Sequence, residues 1–133
     1  MTIAATVIRI VIILISVGFV FIGAIGFMQP ERLAEAVSLL PQAPEGLASV
    51  RALIGAHYLA MGLVGIYAAI RIHPGWLVPL AAIEAVMVIA RITSIAAGEL
   101  DTAGMVQTGM EVVAASLLAL GAFLPIRPLK QNA

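Results

Sequence analysis

Cysteine is missing from this chain, and histidine occurs only at His57 and His73. The first absence excludes disulfides, thiolate metal sites and cysteine nucleophiles. Two histidines are too few for a dedicated protein metal cage, so no metal is expected and no cofactor is indicated. Charge is scarce as well, since seven Lys/Arg and seven Asp/Glu make up 11% of the 133 residues. They cancel to a formal net charge of zero with no basic tract, which rules out nucleic acid as a partner. The motifs that announce catalytic chemistry are absent too: there is no H-E-x-x-H, no G-x-S-x-G, no P-loop and no Cys/His ligand spacing. Ser16, Ser94 and Ser116 have no sequence context that would single out a nucleophile.

Apolar residues fill the chain instead. They form 62% of it, with a mean hydropathy of +1.14, against roughly 45–50% in ordinary soluble domains. A soluble core of this size cannot bury that excess, because surface dominates in small domains. Four stretches approach the ~20 residues that a helix needs to cross a bilayer. They cover about residues 4–28, 50–72, 75–97 and 105–126. Gln29-Pro30-Glu31, His73-Pro74-Gly75 and Gly98-Glu99-Leu100-Asp101 break them, and the chain closes on a polar tail, Arg127-Pro128-Leu129-Lys130. The first stretch is longer than the ~7–15-residue apolar core of a secretory leader and no A-x-A site follows, so it is expected to be a span. The fold class is therefore all-α membrane, a four-transmembrane-helix bundle forming a single domain over 1–133.

One connection is long. After Pro30, Leu33, Ala36, Val37 and Leu40 recur at helical spacing, with Glu31 and Glu35 favouring the N-terminal end. This predicts a short interfacial helix in the first loop, over about 30–40, acting as a connector rather than a lid. Orientation follows from Lys/Arg near the helix ends. Arg9, Arg71, Arg127 and Lys130 fall on one side, against Arg32, Arg51 and Arg91 on the other. The bias places both termini in the cytoplasm.

Glu84 and Arg91 stand out because they lie within the third span. Seven residues is two helical turns, so they share a face. A charge at membrane depth costs at least ~2.5 kcal/mol on insertion scales, and it persists where it finds a partner or a cavity. Helical rise places His57, Arg91 and Glu111 ~10 Å inside the same end of three different helices, with Glu84 deeper. Arg51 opens the second helix at the interface. Thr93, Ser94, Gln107 and Thr108 lie towards the mouth. Pointed inward, Arg91 would bridge Glu111 and Glu84, with His57 and Tyr58 adding hydrogen bonds. The candidate polar network or ligand-binding set is thus Arg51, His57, Tyr58, Glu84, Arg91 and Glu111. Two readings stay open for it, a network that only fixes helix register and a polar cavity. Tyr67, Arg71, His73 and Trp76 read as interfacial anchors. Ala52, Ala56 and Ala60, with the glycines of the first two helices, favour close helix approach. Pro79 is expected to kink the third helix and Pro125 to end the fourth.

The segment Val50-Arg51-Ala52-Leu53-Ile54-Gly55-Ala56-His57-Tyr58-Leu59-Ala60-Met61-Gly62 resembles the Arg-Ala-x-x-Gly…Gly signature of a bacterial four-helix membrane family. That family is a domain of unknown function related to the DoxX-like proteins. Glu84, Arg91, Ser94 and Gly98 resemble its second signature, Glu…Arg-x-x-Ser…Gly. Ala56 departs from the second Gly often found there. The resemblance implies a compact four-helix protein of the bacterial inner membrane, with Arg51, Glu84 and Arg91 as signature positions and no catalytic residue to transfer.

Three functions fit. The first is a small binding or accessory protein whose intramembrane pocket holds a lipid, a quinone-like or other hydrophobic or amphiphilic molecule, or a partner helix. The second is a proton-coupled transporter of small molecules, working as a homodimer. The third is an enzyme on a membrane-dissolved substrate, with Glu84 or Glu111 as general acid/base and His57 assisting. Beyond the lipid bilayer, the expected partners are such a ligand, a second copy of the chain or a membrane complex.

Overall fold

A computed structural model describes residues 3–39, 44–71, 73–100 and 102–123, and every described element is helical. Helix α1 spans Ile3–Met28, α2 Pro30–Ala36 and α3 Pro44–Ser49. A π-helical turn, Val50–Gly55, leads without a break into α4, Ala56–Arg71. A 3₁₀ turn at Pro74–Trp76 precedes α5, Leu77–Ala96, and α6 covers Thr102–Phe123. Four helical stretches are long and apolar enough to cross a membrane: Ile3–Met28, Glu45–Arg71, Pro74–Ala96 and Gly104–Phe123. The proposed fourth-helix end at Pro125 and Ile126, the tail from Arg127 to Lys130, and Leu40, Ile72 and Asp101 lie outside the described residues.

Burial is inverted relative to a soluble protein. Leu14, Phe21, Leu53, Val86, Ile89 and Val113 are exposed, whereas Ser16, Glu84, Thr108 and Glu111 are buried. Water would not tolerate the first set and hydrocarbon would not tolerate the second, so the surface fits lipid. The chain reads as a multi-pass membrane protein.

Contacts divide the chain into two compact units, the described residues of 13–67 and those of 1–12 with 68–133. In the first, α1 and the second span meet through glycine. A Cβ on Gly55 would stand 2.6 Å from the Gly26 carbonyl carbon, and one on Gly62 would stand 2.5 Å from the Ser16 carbonyl oxygen. Gly23 likewise lies directly against the Leu59 backbone. Small residues let membrane helices approach to backbone contact, where dispersion replaces the absent hydrophobic drive. Arg51 closes the same contact by donating from Nε to the Phe27 carbonyl at 2.9 Å. That carbonyl is in the last turn of α1, where a cation satisfies an orphan acceptor and the helix dipole together.

Helix α2 ends sooner than the sequence pattern implies. Val37 caps it, Ser38 turns to φ 56°, and Ser38 and Leu39 donate back to Glu35 and Ala34 at 3.1 and 2.7 Å. This is a Schellman closure, in which a left-handed residue reverses the chain. Its buried stripe is Pro30, Leu33 and Ala34; Val37, half-buried, and Ile54 pack against the cluster of Leu33, Ala34 and Val50, whereas Ala36 is exposed. The helix is therefore docked on the start of the second span. That span also begins earlier than residue 50, because α3 supplies a turn with Glu45 at its N-terminal end.

In the second unit α5 and α6 pack together, joined by another Schellman closure. Gly98 takes φ 73°, Gly98 donates to Ile95 and Glu99 to Ser94, both at 3.0 Å. Leu77, Leu80, Ala114 and Leu118 are buried, and Gly121 admits Ile12 and Leu77. Arg9 donates to the Ile70 carbonyl in the last turn of α4 at 3.1 Å. Pro79 occupies the first turn of α5, where its missing N–H removes no intrahelical bond, so the expected source of a kink is spent at the helix start.

Candidate functional site

The buried stripe of α5 runs Leu77, Leu80, Glu84, at helical spacing. Arg91 and Ser94 continue it towards the α5–α6 turn, both half-buried. On α6 the matching stripe is Thr108, Glu111, Ala114 and Leu118. The tight turn at Gly98 sets these stripes antiparallel and face to face, so polar groups from two sequence segments meet in one layer. Neither helix carries a Lys or a His, and Arg91 is the one cation on either.

Arg91 Nη2 approaches Glu111 Oε1 at 3.4 Å, with side-chain exposures of 27% and 7%. Gln107 Nε2 donates to the same oxygen, also at 3.4 Å. Both contacts are longer than the ~2.7–2.9 Å of a tight charge-assisted bond, so Glu111 is held loosely. Its other oxygen, Oε2, has no hydrogen-bond partner. The neighbouring hydroxyls turn inward on their own helices. Thr108 donates to the Gly104 carbonyl at 2.8 Å and Thr93 to the Ala90 carbonyl at 2.6 Å. They offer nothing across the interface.

Glu84 is the extreme case. It is 1% exposed, and neither carboxylate oxygen has a hydrogen-bond partner. Glu111 stands on the facing buried stripe of α6. The bridge expected from Arg91 to both carboxylates is not formed. Two helical turns separate Arg91 from Glu84, ~10 Å of rise, and the antiparallel register instead offers Arg91 the nearer Glu111. An unsatisfied buried acceptor typically costs ~1–3 kcal/mol, more when charged. Glu84 therefore carries a free-energy debt that nothing on α5 or α6 discharges.

A family model described as Domain of unknown function (DUF4345) matches residues 7–122. The chain belongs to this family. The matched stretch contains every candidate residue from Arg51 to Glu111, so the α5–α6 cluster is part of the family domain. No curated protein and no solved structure matches the chain significantly.

Within the family domain the other three candidates belong to the first unit. Arg51 is exposed and engaged with Phe27. His57 lies edge-on to Tyr58, ring centroids 6.0 Å apart, and Tyr58 tilts against Phe19 at 5.5 Å. Two residues matter that lie outside the six-residue candidate set. Gln107 reaches Glu111 four positions on, a pairing that helical i, i+4 geometry makes available and that spacing alone signals. Ser16 is buried with its hydroxyl unpartnered, in the first unit, and no sequence signal marks it. Among the described residues, no group of three or more His, Asp or Glu is placed to hold a metal ion.

Proposed function

We propose that this is a binding protein of the bacterial inner membrane that holds a hydrophobic or amphiphilic small molecule at the α5–α6 polar cluster. One observation carries the reading: Glu84 is fully buried and both its oxygens lack a partner. A carboxylate kept only for helix register would be expected to close on a donor, as Glu111 does on Arg91 and Gln107. An ionisable group inside a spanning helix is a functional-site hypothesis by default. Both termini face the cytoplasm in this proposal, on the Lys/Arg distribution, and the relation to DoxX-like proteins drawn from the two signatures belongs to it as well. A proton-coupled transporter is the second reading, favoured by the same unpaired acid at membrane depth; it requires access to Glu84 from both faces.

The test is native mass spectrometry of wild type and Glu84→Gln released from mild detergent. A small molecule retained by wild type and lost by the variant supports the reading. If both are empty and equally stable, the cluster serves helix register and the proposal fails.

A further inference from the structure

The unmet groups of the α5–α6 cluster are all of one kind. They are three carboxylate oxygens, Glu84 Oε1, Glu84 Oε2 and Glu111 Oε2. Among the described residues, no nitrogen stands with them as a buried group lacking a partner. The side-chain donors that reach the acids, Arg91 Nη2 and Gln107 Nε2, both go to Glu111 Oε1, and Thr108 Oγ1 donates to its own helix, so none reaches the three open oxygens. Charge is unbalanced in the same direction. Arg91 and Glu111 offset each other, and α5 and α6 contain no further cation for Glu84.

With both acids ionised, a ligand that completes such a site must donate, and it must not be anionic. We infer that the site takes a lipophilic amine, its ammonium N–H groups received by the Glu84 carboxylate and the open oxygen of Glu111; this rests on the binding reading above and adds the ligand class. A primary ammonium has three N–H donors for the three open acceptors, and its charge neutralises the excess acid. A headgroup that only accepts, such as a quinone carbonyl, offers an ionised Glu84 no donor. A phosphate adds like charge in a low-dielectric layer and is repelled. The apolar body of the ligand remains in hydrocarbon, the medium that the exposed apolar residues of α5 and α6 fit.

The experiment uses the full chain in maltoside micelles and three probes of similar apolar length: dodecylamine, dodecanol and a decyl-substituted quinone. Native mass spectrometry reads saturable binding to wild type, Glu84→Gln and Glu84→Asp. Dodecylamine should bind wild type at one per chain, at least tenfold tighter than either neutral probe. Glu84→Gln should weaken the amine at least tenfold, and Glu84→Asp, which keeps the carboxylate, should restore most of that. Dodecanol or the quinone binding as tightly as the amine, and lost in Glu84→Gln, overturns the amine class while leaving a binding site at Glu84. Amine binding equal in wild type and both variants marks micelle partitioning and overturns the inference. No bound probe in wild type overturns it too, and a co-purifying molecule then decides whether the binding reading survives. Should Glu84→Gln fail to fold, the wild-type preference for amine over alcohol and the Glu84→Asp result are decisive.

Discussion

Replacing Gly55 by Ala tests the account of how α1 meets the second span. The added Cβ would lie 2.6 Å from the Gly26 carbonyl carbon, 2.7 Å from the Phe27 nitrogen and 2.9 Å from the Gly26 oxygen. All three are backbone atoms, so no side chain can rotate away. Carbon contacts are favourable at ~3.5–4.0 Å, so the helices must part by about 1 Å. Overpacking of this kind typically costs ~1–3 kcal/mol, and separation also loosens the Arg51 bond to Phe27. Against this, Gly→Ala within a helix gains up to ~1 kcal/mol from propensity. The net expectation for Gly55→Ala is destabilisation of about 1–2 kcal/mol. Gly109→Ala is the matched control, because a Cβ there meets nothing within 4 Å and only the propensity gain remains. It should stabilise by up to ~1 kcal/mol. Denaturation by SDS in mixed micelles, followed by far-ultraviolet circular dichroism, compares the two midpoints. Equal midpoints, or Gly55→Ala unfolding later than Gly109→Ala, would refute the backbone-contact account.

Arg91→Met should destabilise by ~3 kcal/mol, the low end for breaking a buried pair since Arg91 is partly exposed, and adding Glu111→Met should recover most of that loss; a double-mutant cycle by the same denaturation reads the recovery. Ser38→Gly should stabilise by ~0.5–1 kcal/mol, because Ser38 holds φ 56° and glycine enters that region without steric penalty. Gly98→Ala, at φ 73°, should lose ~1 kcal/mol by the same reasoning with the sign reversed, seen as an earlier midpoint. Arg51→Met removes the donor to the Phe27 carbonyl and should cost ~1 kcal/mol; amide exchange at the last turn of α1 should quicken, and unchanged exchange would show that the bond contributes nothing there.

The number of spans, the helical class and the identity of the buried acids were legible from residue order alone. Hydropathy is a local, additive property, so four apolar runs mark four helices, and 3.6-residue spacing assigns Glu84 to the same stripe as Leu77 and Leu80. The turns were legible as well where one residue type decides them, as Gly98 does at the end of α5. Ser38 shows the limit, since a serine in the left-handed region carries no such label and the apolar pattern runs on to residue 40 although α2 ends at Ala36.

Which polar group meets which was decided by tertiary structure. Arg91 lay equally open to Glu84 along its own helix and to Glu111 on another, and only the antiparallel register of α5 and α6 selects Glu111. That selection makes Gln107 a second donor to one oxygen and leaves Glu84 with none. The glycines behave likewise: composition announces small residues, but only the packed backbones distinguish Gly55, pressed on Gly26, from Gly109, where an added Cβ would meet nothing within 4 Å. The physical reason is range. Propensity and hydropathy act over a few residues, whereas a hydrogen bond or a backbone contact depends on ångström-scale register between helices distant in sequence.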